Sequence, residues 1–135
     1  MMSNRAKGHK AENEMAAIFV GRGYEVQVAQ RTSVFTGKFY VSRDNDLFNL
    51  FDILAIDKYR VILVQVKSNS SHCYTAMKEI SKFKNKVGNN KVIYQVALRV
   101  SRKGWVVWYL EPDKNEWVKT FCCLKGLPID KFVYT

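Results

Sequence analysis

Two short apolar runs, residues 51–56 (Phe-Asp-Ile-Leu-Ala-Ile) and 61–66 (Val-Ile-Leu-Val-Gln-Val), are joined by only Asp57-Lys58-Tyr59-Arg60. Runs of this length, rich in β-branched residues and bounded by polar turns, favour a hairpin of buried strands over a helix. Three residues resist that burial. Asp52 stands near the start of the first run, and Gln65 and Lys67, two apart, project to one face of the second strand. Buried without partners, they are costly. Either Asp52 and Lys67 pair at the sheet end with Gln65 hydrogen-bonded nearby, or they mark exposed strand ends, or the three form a site.

The flanking sequence supplies the rest of a mixed layer. Residues 4–22 read as a helix, with Ala11, Met15, Ile18 and Phe19 at helical spacing and Gly21 or Gly23 as its end. Residues 24–30 alternate, with Tyr24, Val26 and Val28 on one face of a strand. The connection 31–49, with Gly37 near its middle, is longer than an ordinary loop and is expected to hold a hairpin or a function. A second helix spans 73–87, with Ala76, Ile80, Phe83 and Val87 on one face and Gly88 as its stop. Strands 92–100 and 105–110 flank the turn Ser101-Arg102-Lys103-Gly104, and a weaker strand begins near Trp117. The order, roughly α-β-β-β-α-β-β with a final strand beyond, predicts one domain over 1–135. Its class is α/β or α+β, a central mixed sheet flanked by helices. Trp105 and Trp108 point to opposite faces of their strand: one belongs in the core, and the other, if exposed, suits a dimer interface.

Charge narrows the partners. The chain carries 22 Lys+Arg against 12 Asp+Glu, a net charge of +10. Such a surplus repels itself, and its commonest reason is a polyanion such as nucleic acid. The basic residues are dense at Arg5, Lys7 and Lys10 and at Lys82, Lys84 and Lys86, with no separable tail, so the folded surface would do the binding. No apolar run reaches the roughly 20 residues of a membrane span, and the polar start shows no secretory signal. The expectation is a soluble, cytoplasmic protein of a cell, phage or virus. Cys73, Cys122 and Cys123 form no CxxC pair and have only His9 and His72 for company, which argues against structural zinc. His72 and Cys73, as sequence neighbours, point apart and make a poor nucleophilic pair.

A carboxylate on one strand, with an oxygen ligand and a lysine on the next, can hold Mg²⁺ and act on a phosphodiester. The spacing of Asp52, Gln65 and Lys67 resembles the PD-(D/E)XK nuclease signature. Together with Lys7-Gly8, Glu12 and Glu14 on the opening helix, it resembles the archaeal and phage Holliday-junction resolvase branch of that superfamily, over roughly residues 5–110. The resemblance implies a restriction-endonuclease-like fold and a metal-dependent DNA endonuclease that cuts four-way junctions as a homodimer. It implies Asp52 and Gln65 as Mg²⁺ ligands (Mn²⁺ the alternative ion), Glu12 joining them directly or through water, and Lys67 orienting the attacking water. Arg5, Lys7, Lys10, Arg31, Ser33 and Lys38 are the implied DNA contacts.

Two departures stand out. The family's usual acid is Gln65 here, as in Mrr-like restriction nucleases, and Phe51 replaces the proline before the motif aspartate. A neutral carbonyl should bind metal more weakly than a carboxylate. Two alternatives therefore stand beside the resolvase: a restriction-like or repair endonuclease of the same superfamily, and a DNA-binding module with a weakened nuclease site. Asp46, in the run before Asp52, is either a turn acid or an additional metal ligand.

Overall fold

The computed structural model describes residues 4–35, 37, 38, 40–48, 50–100 and 104–122, with backbone alone at 4–8, 30–35, 40–45 and 122. Its elements are α1 (Asn4–Gly21), β1 (Glu25–Val28), β2 (Gln30–Phe35), β3 (Tyr40–Asn45), β4 (Ile53–Ile56), β5 (Val61–Lys67), a 3-10 turn (Ser70–His72), α2 (Cys73–Val87), β6 (Val92–Val100), β7 (Gly104–Leu110) and β8 (Val118–Cys122). Six strands form one sheet in the order β1-β4-β5-β6-β7-β8, and β2 pairs with β3 separately. This is an α+β architecture, a mixed sheet flanked by helices.

The expected hairpin is present. β4 and β5 pair antiparallel with Ile53 across from Val64, and the Asp57 carboxylate accepts from the N–H groups of Tyr59 and Arg60 at 2.9 and 2.7 Å to shape the turn. β5 and β6 run parallel, so the chain must cross over between them, and α2 is that crossover. α2 ends at Gly88, whose φ of 67° is the left-handed cap geometry that glycine tolerates and whose N–H bonds to Lys84 O.

The two helices cover opposite faces of the sheet. Ala11, Met15, Ile18 and Phe19 of α1 pack on Ile53, Ala55, Ile62, Val64 and Val66. Ala76, Met77 and Ile80 of α2 pack on Leu63, Tyr94, Val96 and Leu98. The alternation along β5 therefore assigns its even-numbered side chains to the α1 side. Gln65 and Lys67 fall on the α2 side.

Several expectations change. The connection 31–49 does contain a hairpin, β2–β3, but it stands outside the main sheet. The final strand is real and forms the sheet edge. Trp105 is core, while Trp108 is half-buried beneath the Lys119 ammonium, 5.7 Å from the ring centroid, so it is not an open apolar face. Lys84 leaves the basic surface altogether: it is buried, and its ammonium donates to the carbonyls of Glu111, at 3.1 Å, and Lys114.

Candidate active site

The site forms where β4 begins and β5 ends. Asp52 lies one residue before β4, clamped by its own backbone: its N–H donates to Val64 O at 2.9 Å and its carbonyl accepts from Ala29 N at 2.7 Å. Asp52 thus bonds to β5 at Val64 through its backbone, one residue before Gln65. The side chain is 8% exposed, so Asp52 is not a solvated strand end. One carboxylate oxygen accepts from Val66 N at 2.7 Å.

That single bond does not offset the burial. Desolvation raises the Asp52 pKa from 3.8 to about 8, the Val66 N–H opposes the rise, the charges of Glu12 and Asp46 add to it, and Lys67 pulls it back. The electrostatics therefore identify the neighbours. Glu12 comes from α1, Asp46 from the segment after β3, and Lys67 from the end of β5. Between the two β5 residues that Asp52 bonds, the Gln65 side-chain carbonyl oxygen is buried with no hydrogen-bond partner. A buried acceptor left open costs free energy of about 1–3 kcal/mol, and few survive in folded proteins without a reason.

Glu12 is largely buried, with His9 Nδ1 at 3.5 Å one turn earlier. Glu14, two residues on, is committed elsewhere: it accepts from Arg99 Nε at 2.9 Å, and Arg99 lies over the Trp105 ring. Lys67 also faces the start of α2. Burial pushes the Cys73 thiol pKa up and the Lys67 charge lowers it, while His72 is exposed, so the two neighbours do point apart.

Of the expected site, Glu12 and Lys67 bring their charges to bear on Asp52, and Asp52 bonds to β5 on both sides of Gln65. Lys10 is exposed on α1 and Lys38 is exposed between β2 and β3. Arg5 and Lys7 are on α1, and Arg31 and Ser33 on β2, but their side chains lie outside the described residues. The sequence reading weighed His9 only as a zinc ligand, although its i,i+3 spacing to Glu12 was visible. Asp46, offered there as a turn acid or an additional metal ligand, adds its charge at Asp52.

Among the described residues, no three His, Cys, Asp or Glu side chains gather tightly enough to hold a metal by themselves. Two carboxylates and an amide oxygen still suit Mg²⁺, which takes oxygen ligands and keeps several waters. The open Gln65 oxygen beside a buried carboxylate that resists ionisation is the arrangement a divalent cation would satisfy.

No family model matches the chain, and no curated protein matches it. Among solved structures, it is similar to a Holliday junction resolvase from the archaeal hyperthermophile Archaeoglobus fulgidus, with 15% identity and a TM-score of 0.47, covering 85% of this chain and 84% of that one.

Proposed function

We propose that this protein is a metal-dependent endonuclease that hydrolyses DNA phosphodiesters, with four-way junctions as its foremost substrate. One observation carries the reading: the buried Asp52, whose pKa is raised by burial and by Glu12 and Asp46, bonds to β5 on both sides of Gln65, a residue whose side-chain oxygen has no partner. Asp52 and Gln65 would hold Mg²⁺ or Mn²⁺, with Glu12 joining directly or through water. When bound, such an ion polarises the phosphodiester and lowers the pKa of a water. Lys67 holds that water or the charge that grows on phosphate, acting from the same strand as Gln65.

The net charge of +10 supplies the attraction for the DNA backbone. Lys10 and Lys38 present exposed charges, and Arg5, Lys7, Arg31 and Ser33 complete the proposed contacts. Symmetrical cuts in a four-way junction need two sites related by a two-fold axis, hence a homodimer. A second reading, a DNA-binding module without cleavage, draws on the neutral Gln65 and on the lack of a three-acid cluster among the described residues.

The test uses labelled four-way junction and matched duplex, each with Mg²⁺ or EDTA, alongside Asp52→Asn and Lys67→Ala. Paired cuts in the junction that need the metal and vanish in both variants support the resolvase. Equal cutting of the linear duplex favours a restriction-like or repair nuclease. Metal-independent binding with no nicking leaves the binding module.

A further inference from the structure

The segment leading into Asp52 carries a strained aromatic side chain. Leu47 N donates to Phe51 O at 2.7 Å, Phe51 N returns a bond to Leu47 O at 2.9 Å, and Leu50 N donates to the same carbonyl at 3.0 Å. At the tip of this closed loop Phe48 adopts φ 56°, the one positive φ of a non-glycine residue among the described residues. For a bulky side chain that conformation is unfavourable and persists only where the surroundings impose it.

The ring gains little burial in return, for Phe48 is 68% exposed. It is nevertheless rigidly supported. Its inner edge meets Phe83 of α2 at 5.3 Å between centroids, Phe83 meets Phe51 edge-on at 5.4 Å, and Phe51 stacks on Tyr94 at 5.8 Å. Phe51 and Tyr94 are fully buried. An aromatic ladder thus runs from the core to an outward-facing ring, four residues before the candidate catalytic carboxylate. Four residues span at most about 14 Å, and the loop closure shortens that reach.

We propose that Phe48 is a stacking platform for an unpaired nucleobase of the DNA whose backbone lies at Asp52; the inference rests on the nuclease reading and deepens it. Aromatic rings stack on any base, and the energy is available only where a base has left its own stack, as at a branch or a mismatch. The charges around the ring fit this occupant. Lys86 is exposed one helical turn beyond Phe83, and the acidic Glu79 is paired with Lys82 at 3.7 Å.

The experiment measures binding in EDTA, so that nothing is cut, to a four-way junction and to a continuous duplex. It compares the wild type with Phe48→Ala, Phe48→Gly and Phe48→Trp, each checked by thermal melting. Phe48→Gly also relieves the backbone strain, so it keeps the loop fold while removing the ring. Both small variants should bind the junction about 5- to 100-fold more weakly and the duplex unchanged, and Phe48→Trp should match the wild type. Junction affinity equal to wild type in Phe48→Gly overturns the platform, as does an equal loss on junction and duplex. A dimer that dissociates in the small variants with binding otherwise intact overturns it in favour of a contact between copies. A wild type that cuts neither DNA in Mg²⁺ or Mn²⁺ overturns the nuclease reading while leaving the junction-specific loss in place. A wild type that binds neither DNA overturns both.

Discussion

Two buried charged side chains, Lys84 and Asp52, have the same 8% exposure and opposite surroundings. Lys84 lies on the inner face of α2 and donates to the backbone carbonyls of Glu111 and Lys114, tying the helix to the connection between β7 and β8. Its burial is matched by acceptors of the right polarity. Asp52 accepts one backbone N–H and meets the like charges of Glu12 and Asp46, which the Lys67 charge opposes only in part. Folding satisfies the lysine and leaves the aspartate short of partners. A buried charge whose neighbours answer it builds structure. One whose neighbours repel it needs a ligand, and here the ligand with the right charge is a cation.

The largest test of that contrast is catalytic. Asp52→Asn or Lys67→Ala should lower junction cleavage by about 10³-fold or more in gel assays, since each removes a group from the reacting centre. Lys84→Met should leave the cleavage rate within about two-fold of wild type, because that lysine is bonded to the β7–β8 connection instead.

Stability should move in the reverse sense. The folded-state pKa of Asp52 is about 8 against 3.8 when free, so folding favours its protonated form. Its contribution to stability is complete below pH 3.8 and is lost as pH rises towards 8. In EDTA, Asp52→Asn should therefore be more stable than wild type at pH 8, by on the order of 2–5 kcal/mol, with the gap closing towards pH 4. Divalent metal should raise the wild-type midpoint and leave that of the variant unchanged. An Asp52→Asn midpoint below wild type at pH 8 would show that the carboxylate is satisfied in the fold.

Lys84→Met strands two carbonyls and should cost about 1–3 kcal/mol by chemical denaturation. The smallest effect is at Gln65. Gln65→Glu adds a negative charge on β5 between the two residues that Asp52 bonds, and should tighten metal binding by about ten-fold in calorimetry while lowering the stability of the metal-free protein. Weaker metal binding in that variant would remove Gln65 from the ligand set.

The hairpin, α2 and the polar triad were legible because each depends on short-range pattern. A short β-branched apolar run bounded by polar turns identified β5, and Gly88 ended α2 where a left-handed cap was needed. The β2–β3 hairpin was foreseen only as one use of a long connection, because nothing in residues 31–49 says which sheet they join. Lys84 read as surface beside Lys82 and Lys86, since the carbonyls it meets are 27 and 30 residues away. Nothing in the sequence singles out Phe48, its backbone strain being invisible in composition.

By itself the sequence determined the basic charge, the buried hairpin and the identities of Asp52, Gln65 and Lys67, because side-chain period and residue chemistry are local properties. Tertiary structure alone decided which buried charges find partners. It brought Glu12 from α1 and Asp46 from the loop to bear on Asp52, turned Lys84 inward and left the Gln65 oxygen open. Solvation and Coulomb energy depend on distances between residues far apart in the chain, and only packing sets those distances.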